Sequence, residues 1–169
     1  MAAIWHSRVR WYVFPAPELI VDHYTVRYME PFNLNARVIV TNRHTTDQMS
    51  DFSPIDVGVA WGPLGEEGKL DLSKFYQKER FLYWKGQKID DVPYWDVRKH
   101  IGHLHVIPAD DYVLQELYAL QPNDLISFRG HLVRVDNNEG RGIWVSSRSR
   151  TDTGAQACEI VYITDLFRY

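Results

Sequence analysis

The chain has 169 residues, a formal charge of −3, a pI near 6.1 and 45% hydrophobic residues, enough for one domain with a real core. Its slight acidity argues against phosphate-driven nucleic-acid binding, which needs a basic surface. The single cysteine excludes an internal disulfide and a multi-cysteine zinc knuckle, and no apolar run approaches the roughly 18 residues that cross a bilayer.

The first residues, Met1 to Arg8, lack the apolar core of a signal peptide. The chain therefore reads as soluble, with membrane association only through an anchor it does not carry. Ile4 to Phe14 and Glu18 to Tyr28 read as extended segments, rich in Val, Ile, Tyr and Trp and separated by two prolines. Phe32 to Asn42 alternates as a strand, and the polar run Thr41 to Ser50 as a loop. In Phe52 to Gly62, Ile55, Val57, Val59 and Trp61 share one parity, while Asp56, Gly58 and Ala60 share the other. As a strand this has one bulky face and one nearly bare face, open either to a ligand or to a closely packed neighbour.

Leu70 to Arg80 is compatible with a short helix, and Phe81 to Trp84 with a strand. Trp95 to His100 reads as a helical turn, and His103 to Ile107 as a strand ended by Pro108. Ala109 to Leu120 is the clearest helix: Val113, Leu117 and Leu120 lie at i, i+4, i+7, an aspartate at 110 or 111 can cap it, and Gln121 to Asp124 stops it. Leu125 to Asp136 is a long strand in which the apolar phase moves from even positions (Ile126, Phe128) to odd ones (Val133, Val135). A β-bulge at Gly130 accounts for such a slip. Gly142 to Ser147 returns as its partner, and Glu159 to Thr164 is a last strand apolar on both faces.

Roughly six to eight strands with one firm helix before the last hairpin point to a mainly β fold. The expectation is a small OB-like β-barrel with the helix between its third and fourth strands; an open α+β sheet is the alternative. The whole chain, 1–169, is read as one domain. Residues 1–31 are extended segments packing on or flanking the barrel, and residues 32–169 form its core.

Three segments, Ser53 to Gly62 (SPIDVGVAWG), His103 to Asp110 (HLHVIPAD) and Ser146 to Glu159 (SSRSRTDTGAQACE), occur in this order. Across roughly Asn35 to Thr164 the chain thereby resembles a group of uncharacterised bacterial proteins, which typically begin with a short apolar anchor. The resemblance implies a bacterial source and an envelope location on the periplasmic side, with the cytoplasm as the alternative. It implies no activity. The chain carries His103 where the group has Asn.

Several residues are chemically able. His103 and His105 fall on one side of a strand, where two imidazoles can chelate zinc, with His100 as a third ligand. Such a site also needs acceptors that fix the rings, and spacing alone names none. Cys158 reads either as a small buried hydrophobe beside Ala157 or as a nucleophile, with His105 as base and Asp152 or Asp56 as orienter. Thr151 to Gly154 resembles the catalytic loop of aspartic proteases, but that chemistry needs two copies. Arg148 and Arg150 can hold an anion or pair with the chain's own acids. Asp56, Trp61 and Trp84 are further candidates for ligand contact. Phe81, Tyr83, Trp84, Tyr94 and Trp95 form either a stacking groove or core.

The leading reading is a non-catalytic module that binds a protein or small ligand and needs no cofactor. The alternatives are a hydrolase built on Cys158, a His and Asp152, or a zinc site on His100, His103 and His105.

Overall fold

The computed structural model describes residues 18–21, 23–85, 92–137, 139–149 and 157–169. The expected strand at Ile4 to Phe14 lies outside them. The core is a closed five-stranded barrel. It is built from β3 (Leu34–Arg43), β4 (Ile55–Ala60), β7 (Ile101–Pro108), β8 (Leu125–Asn137) and β10 (Glu159–Arg168). Their order around the barrel is β3-β4-β7-β10-β8, and the pairing of Leu34 with Phe128 and Ala36 with Ile126 returns β8 to β3. All of these contacts are antiparallel except β7 with β10, which run parallel with His105 opposite Ile160. The OB-like expectation holds: helix α2 (Asp111–Ala119) lies between the third and fourth barrel strands.

Alternation fills the barrel. Val38, Ile55, Val57, Val59, Leu104, Val106, Ile126, Phe128, Val161 and Ile163 form one buried cluster with Val113, Leu117 and Leu120 of α2. The helix starts where Asp110 accepts a hydrogen bond from the Val113 amide at 2.9 Å, satisfying a first-turn donor. It offers the barrel its Val113–Leu117–Leu120 stripe, each such side chain stabilising the fold by roughly 1.5–3 kcal/mol on burial.

Outside the barrel, β2 (Tyr24–Pro31) pairs with the far half of β8, and β1 (Glu18–Val21) pairs with β2. The single extended segment expected over Glu18 to Tyr28 is thus a hairpin. On the other side of β8 lies β9 (Gly142–Val145). Tyr24, Val26, Phe52, Ile107, Val133, Val135, Ile160 and Tyr162 form a second cluster beneath these strands.

Two expectations are corrected. The helix over Leu70 to Arg80 is a single 3-10 turn, Leu72–Lys74, followed by a hairpin of β5 (Phe75–Lys78) and β6 (Phe81–Trp84). Its turn residues, Glu79 and Arg80, both have positive φ, 50° and 60°. Asparagine and glycine usually mark such turns, so this one carries no local signature. The second correction concerns Gly130. Strand β8 has no extra residue there. Its even residues line the barrel, and its odd residues Val133 and Val135 enter the second cluster on the opposite face. The irregular residues sit on the partners, between Ile163 and Asp165 of β10 and between Tyr28 and Glu30 of β2. The phase slip records a strand that passes from one core to another.

Glycine is nevertheless required at 130. A Cβ there would lie 2.1 Å from the Tyr162 carbonyl oxygen, inside any real contact distance. Replacing Gly130 with Ala is expected to lower stability by about 1–3 kcal/mol through forced strand separation. Denaturant unfolding checks this, and an unchanged midpoint would remove the close-approach argument.

Candidate functional site

Strands β4, β7 and β10 turn one face into the barrel and the other outward. Because Asp56 pairs with His105, Gly58 with His103 and Ile160 with His105, these side chains share the outer face. Cys158, two residues before Ile160, joins that face beside His103. Its Sγ lies 3.5 Å from His103 Nδ1. One nitrogen of each imidazole and Sγ all lie within 4.8 Å of one another. The rings of His103 and His105 meet edge to face, with centroids 4.8 Å apart.

Behind them lies Asp56, wholly buried at 0% exposure. Oδ1 accepts from His105 Nδ1 at 2.9 Å and from Arg80 Nη1 at 3.0 Å. Oδ2 accepts from His44 Nε2 at 2.8 Å and lies 3.8 Å from His103 Nε2. A carboxylate can only accept, so His105 carries a proton on Nδ1. Burial pushes the Asp56 carboxyl up, but the His105 hydrogen bond and the charges around it outweigh burial and hold it below the ordinary range. His103 Nε2 has no hydrogen-bond partner among the described residues and is buried. Burial first, and the neighbouring His105 second, push the His103 pKa down to about 3, so its ring is neutral at neutral pH.

Trp144 of β9 covers His105, with ring centroids 4.3 Å apart. Cys158 is half-buried rather than a core residue; it precedes β10 and points away from the barrel interior. The bare position on β4 is filled by packing: a Cβ on Gly58 would meet Val40 at 3.0 Å and Leu82 of the hairpin at 3.2 Å.

His100 stands apart from this cluster. It ends α1 (Tyr94–His100), its Nδ1 bonds the Asp96 carbonyl at 2.9 Å, and it lines a surface groove with Pro63, Val92 and Pro93. The place expected for it beside His103 and His105 is taken by Cys158. Arg148 is exposed and 3.8 Å from Glu30. Trp61 packs half-buried on the main core, and Trp84 on a third cluster with Phe75, 5.8 Å from Tyr94. Arg98 lies over Tyr94 and Trp95. Arg150 and Asp152, and the loop Thr151 to Gly154, lie outside the described residues. Sequence reasoning missed His44, Arg80 and Trp144. No spacing ties any of them to Asp56, because each arrives from a different element.

No family model matches the chain, and no curated protein or solved structure matches it.

Replacing Asp56 with Ala would take one of two carboxylate partners from the Arg80 side chain, which is 12% exposed and keeps Asp47, and would leave the His44 and His105 rings without their buried acceptor. Removing one partner of a buried pair typically costs roughly 3–5 kcal/mol. Chemical denaturation is expected to show a loss of that order, and a loss under about 1 kcal/mol would mean that solvent already screens the cluster.

Proposed function

We propose that the protein is a metal-binding module, in which Cys158, His103 and His105 hold one late first-row divalent ion such as zinc on the outer face of the barrel. The observation that carries this is the single carboxylate behind both imidazoles. Asp56 faces one nitrogen of each ring, at 2.9 Å for His105 and 3.8 Å for His103, and the other nitrogen of His103 lies 3.5 Å from Cys158 Sγ. Metal-bound histidines characteristically pair their other nitrogen with a carboxylate. A neutral His103 is in the ligand form, and a thiolate with two imidazoles suits zinc or its neighbours rather than magnesium or calcium. Zinc–nitrogen distances near 2.0–2.1 Å and a zinc–sulfur distance near 2.3 Å require the three atoms to draw in by about 1 Å.

The three segments that carry the bacterial resemblance each contribute. Ser53 to Gly62 holds Asp56, His103 to Asp110 holds both histidines, and Ser146 to Glu159 holds Cys158. This supports one shared site, and it keeps an envelope location as part of the proposal.

A second reading has its own observation. The 3.5 Å approach of Cys158 Sγ to His103 Nδ1 is the distance of a thiol nucleophile and its base. The low pKa of His103 makes that ring a poor base and gives little support to a thiolate.

Untagged protein dialysed against trace zinc is expected to retain about one ion per chain, to melt higher than the chelated protein, and to lose the ion in Cys158→Ser and His105→Ala. Cobalt substitution should give a thiolate-to-metal absorption that Cys158→Ser abolishes. Negligible metal, together with fast Cys158 labelling by a thiol-directed acylating probe, would overturn the metal reading in favour of the nucleophile.

A further inference from the structure

The β5–β6 hairpin is inserted between the second and third barrel strands, and the position of Arg80 in it is unusual. Arg80 sits in the left-handed region at φ 60°, a conformation that disfavours any residue with a Cβ. Its side chain is nevertheless 12% exposed and makes four hydrogen bonds. Nη1 donates to Asp56 Oδ1 at 3.0 Å, Nη2 to Asp47 Oδ1 at 2.8 Å and to the Ser53 carbonyl at 3.0 Å, and Nε to Asp47 Oδ2 at 2.8 Å. The guanidinium also lies over the ring of Trp144, the residue that covers His105, at 5.6 Å. The turn therefore holds a strained backbone where the guanidinium reaches the carboxylate behind the imidazoles. Leu82, two residues on, fills the space over Gly58 next to His103.

We infer that the β5–β6 hairpin is a clasp for the outer-face centre, with Arg80 as a positioning residue: by fixing the Asp56 carboxylate it sets the orientation and tautomer of His105. The inference rests on the metal-binding reading, since its consequence is ligand affinity. Arg80 touches none of the three ligands. It shares Oδ1 of Asp56 with His105, so turning the carboxylate away from that oxygen's position disturbs both bonds. A rigid fork of donors suits this task better than a point charge. In metal centres, partners of this kind typically govern affinity by about 10–100-fold.

Backbone geometry supplies the test. Glycine adopts positive φ without penalty, so Arg80→Gly deletes the guanidinium while suiting the turn. Glu79→Gly relaxes the adjacent residue, at φ 50°, and leaves the guanidinium in place. Zinc affinity is measured by chelator competition on both variants and the parent, and the His105 ring nitrogens are followed by NMR without metal. The expected result is an affinity about 10–100-fold weaker for Arg80→Gly, loss of the single Nδ1-protonated signature of His105, and parental behaviour in Glu79→Gly. Parental affinity in a folded Arg80→Gly overturns the inference while the metal reading stands. A fall in affinity with the His105 signature intact also overturns it, because the effect then bypasses the ring. If the parent binds no zinc but Arg80→Gly still loses the His105 signature, the metal reading fails and the positioning role survives.

Discussion

One buried carboxylate holds the outer face of this barrel together. Asp56 has no exposed surface, yet it meets a guanidinium and three imidazoles that arrive from the β3–β4 connection, β7 and the β5–β6 hairpin. Burying a charge is costly unless it is paired and fully hydrogen-bonded. Arg80 supplies the opposite charge, while His105 and His44 supply the further donors. A hydrophobic residue at 56 would save this desolvation. An ion pair in that place fixes where several side chains point, which a hydrophobic contact does not.

The barrel makes this possible because its two faces are independent. The inner face is filled by alternate residues of five strands and plugged by α2. The outer face is covered patch by patch, by the hairpin over Gly58 and by Trp144 over His105. Polar groups can then gather beneath a cover without interrupting the main core. Cys158 stands at the margin, where the chain enters β10, and is more exposed than the two histidines.

Much of this was legible locally. The parity of Ile55, Val57 and Val59 against Asp56 and Gly58 assigned the strand and its two faces. The parity of His103 and His105 put both rings on one side. The Val113–Leu117–Leu120 spacing and the Asp110 cap gave the helix and its start. The Glu79–Arg80 turn was not legible, because residues with a Cβ at positive φ leave no mark in sequence. The phase slip at Gly130 imitates a bulge in β8 for a related reason. A strand that leaves one core for another changes its apolar phase just as an extra residue would.

The sequence by itself determined which residues alternate, where the helix lies, and that Asp56, His103 and His105 stand on strand faces rather than in loops. Those are consequences of backbone periodicity, which acts over a few residues. Only the tertiary structure decided that Cys158, not His100, is the third member of the histidine cluster. That choice depends on the parallel pairing of β10 with β7, in which Ile160 lies opposite His105, and on a helix ending at His100 that turns its ring back to Asp96. Pairing register between strands more than fifty residues apart is set by the packing of the whole barrel. No local pattern carries it.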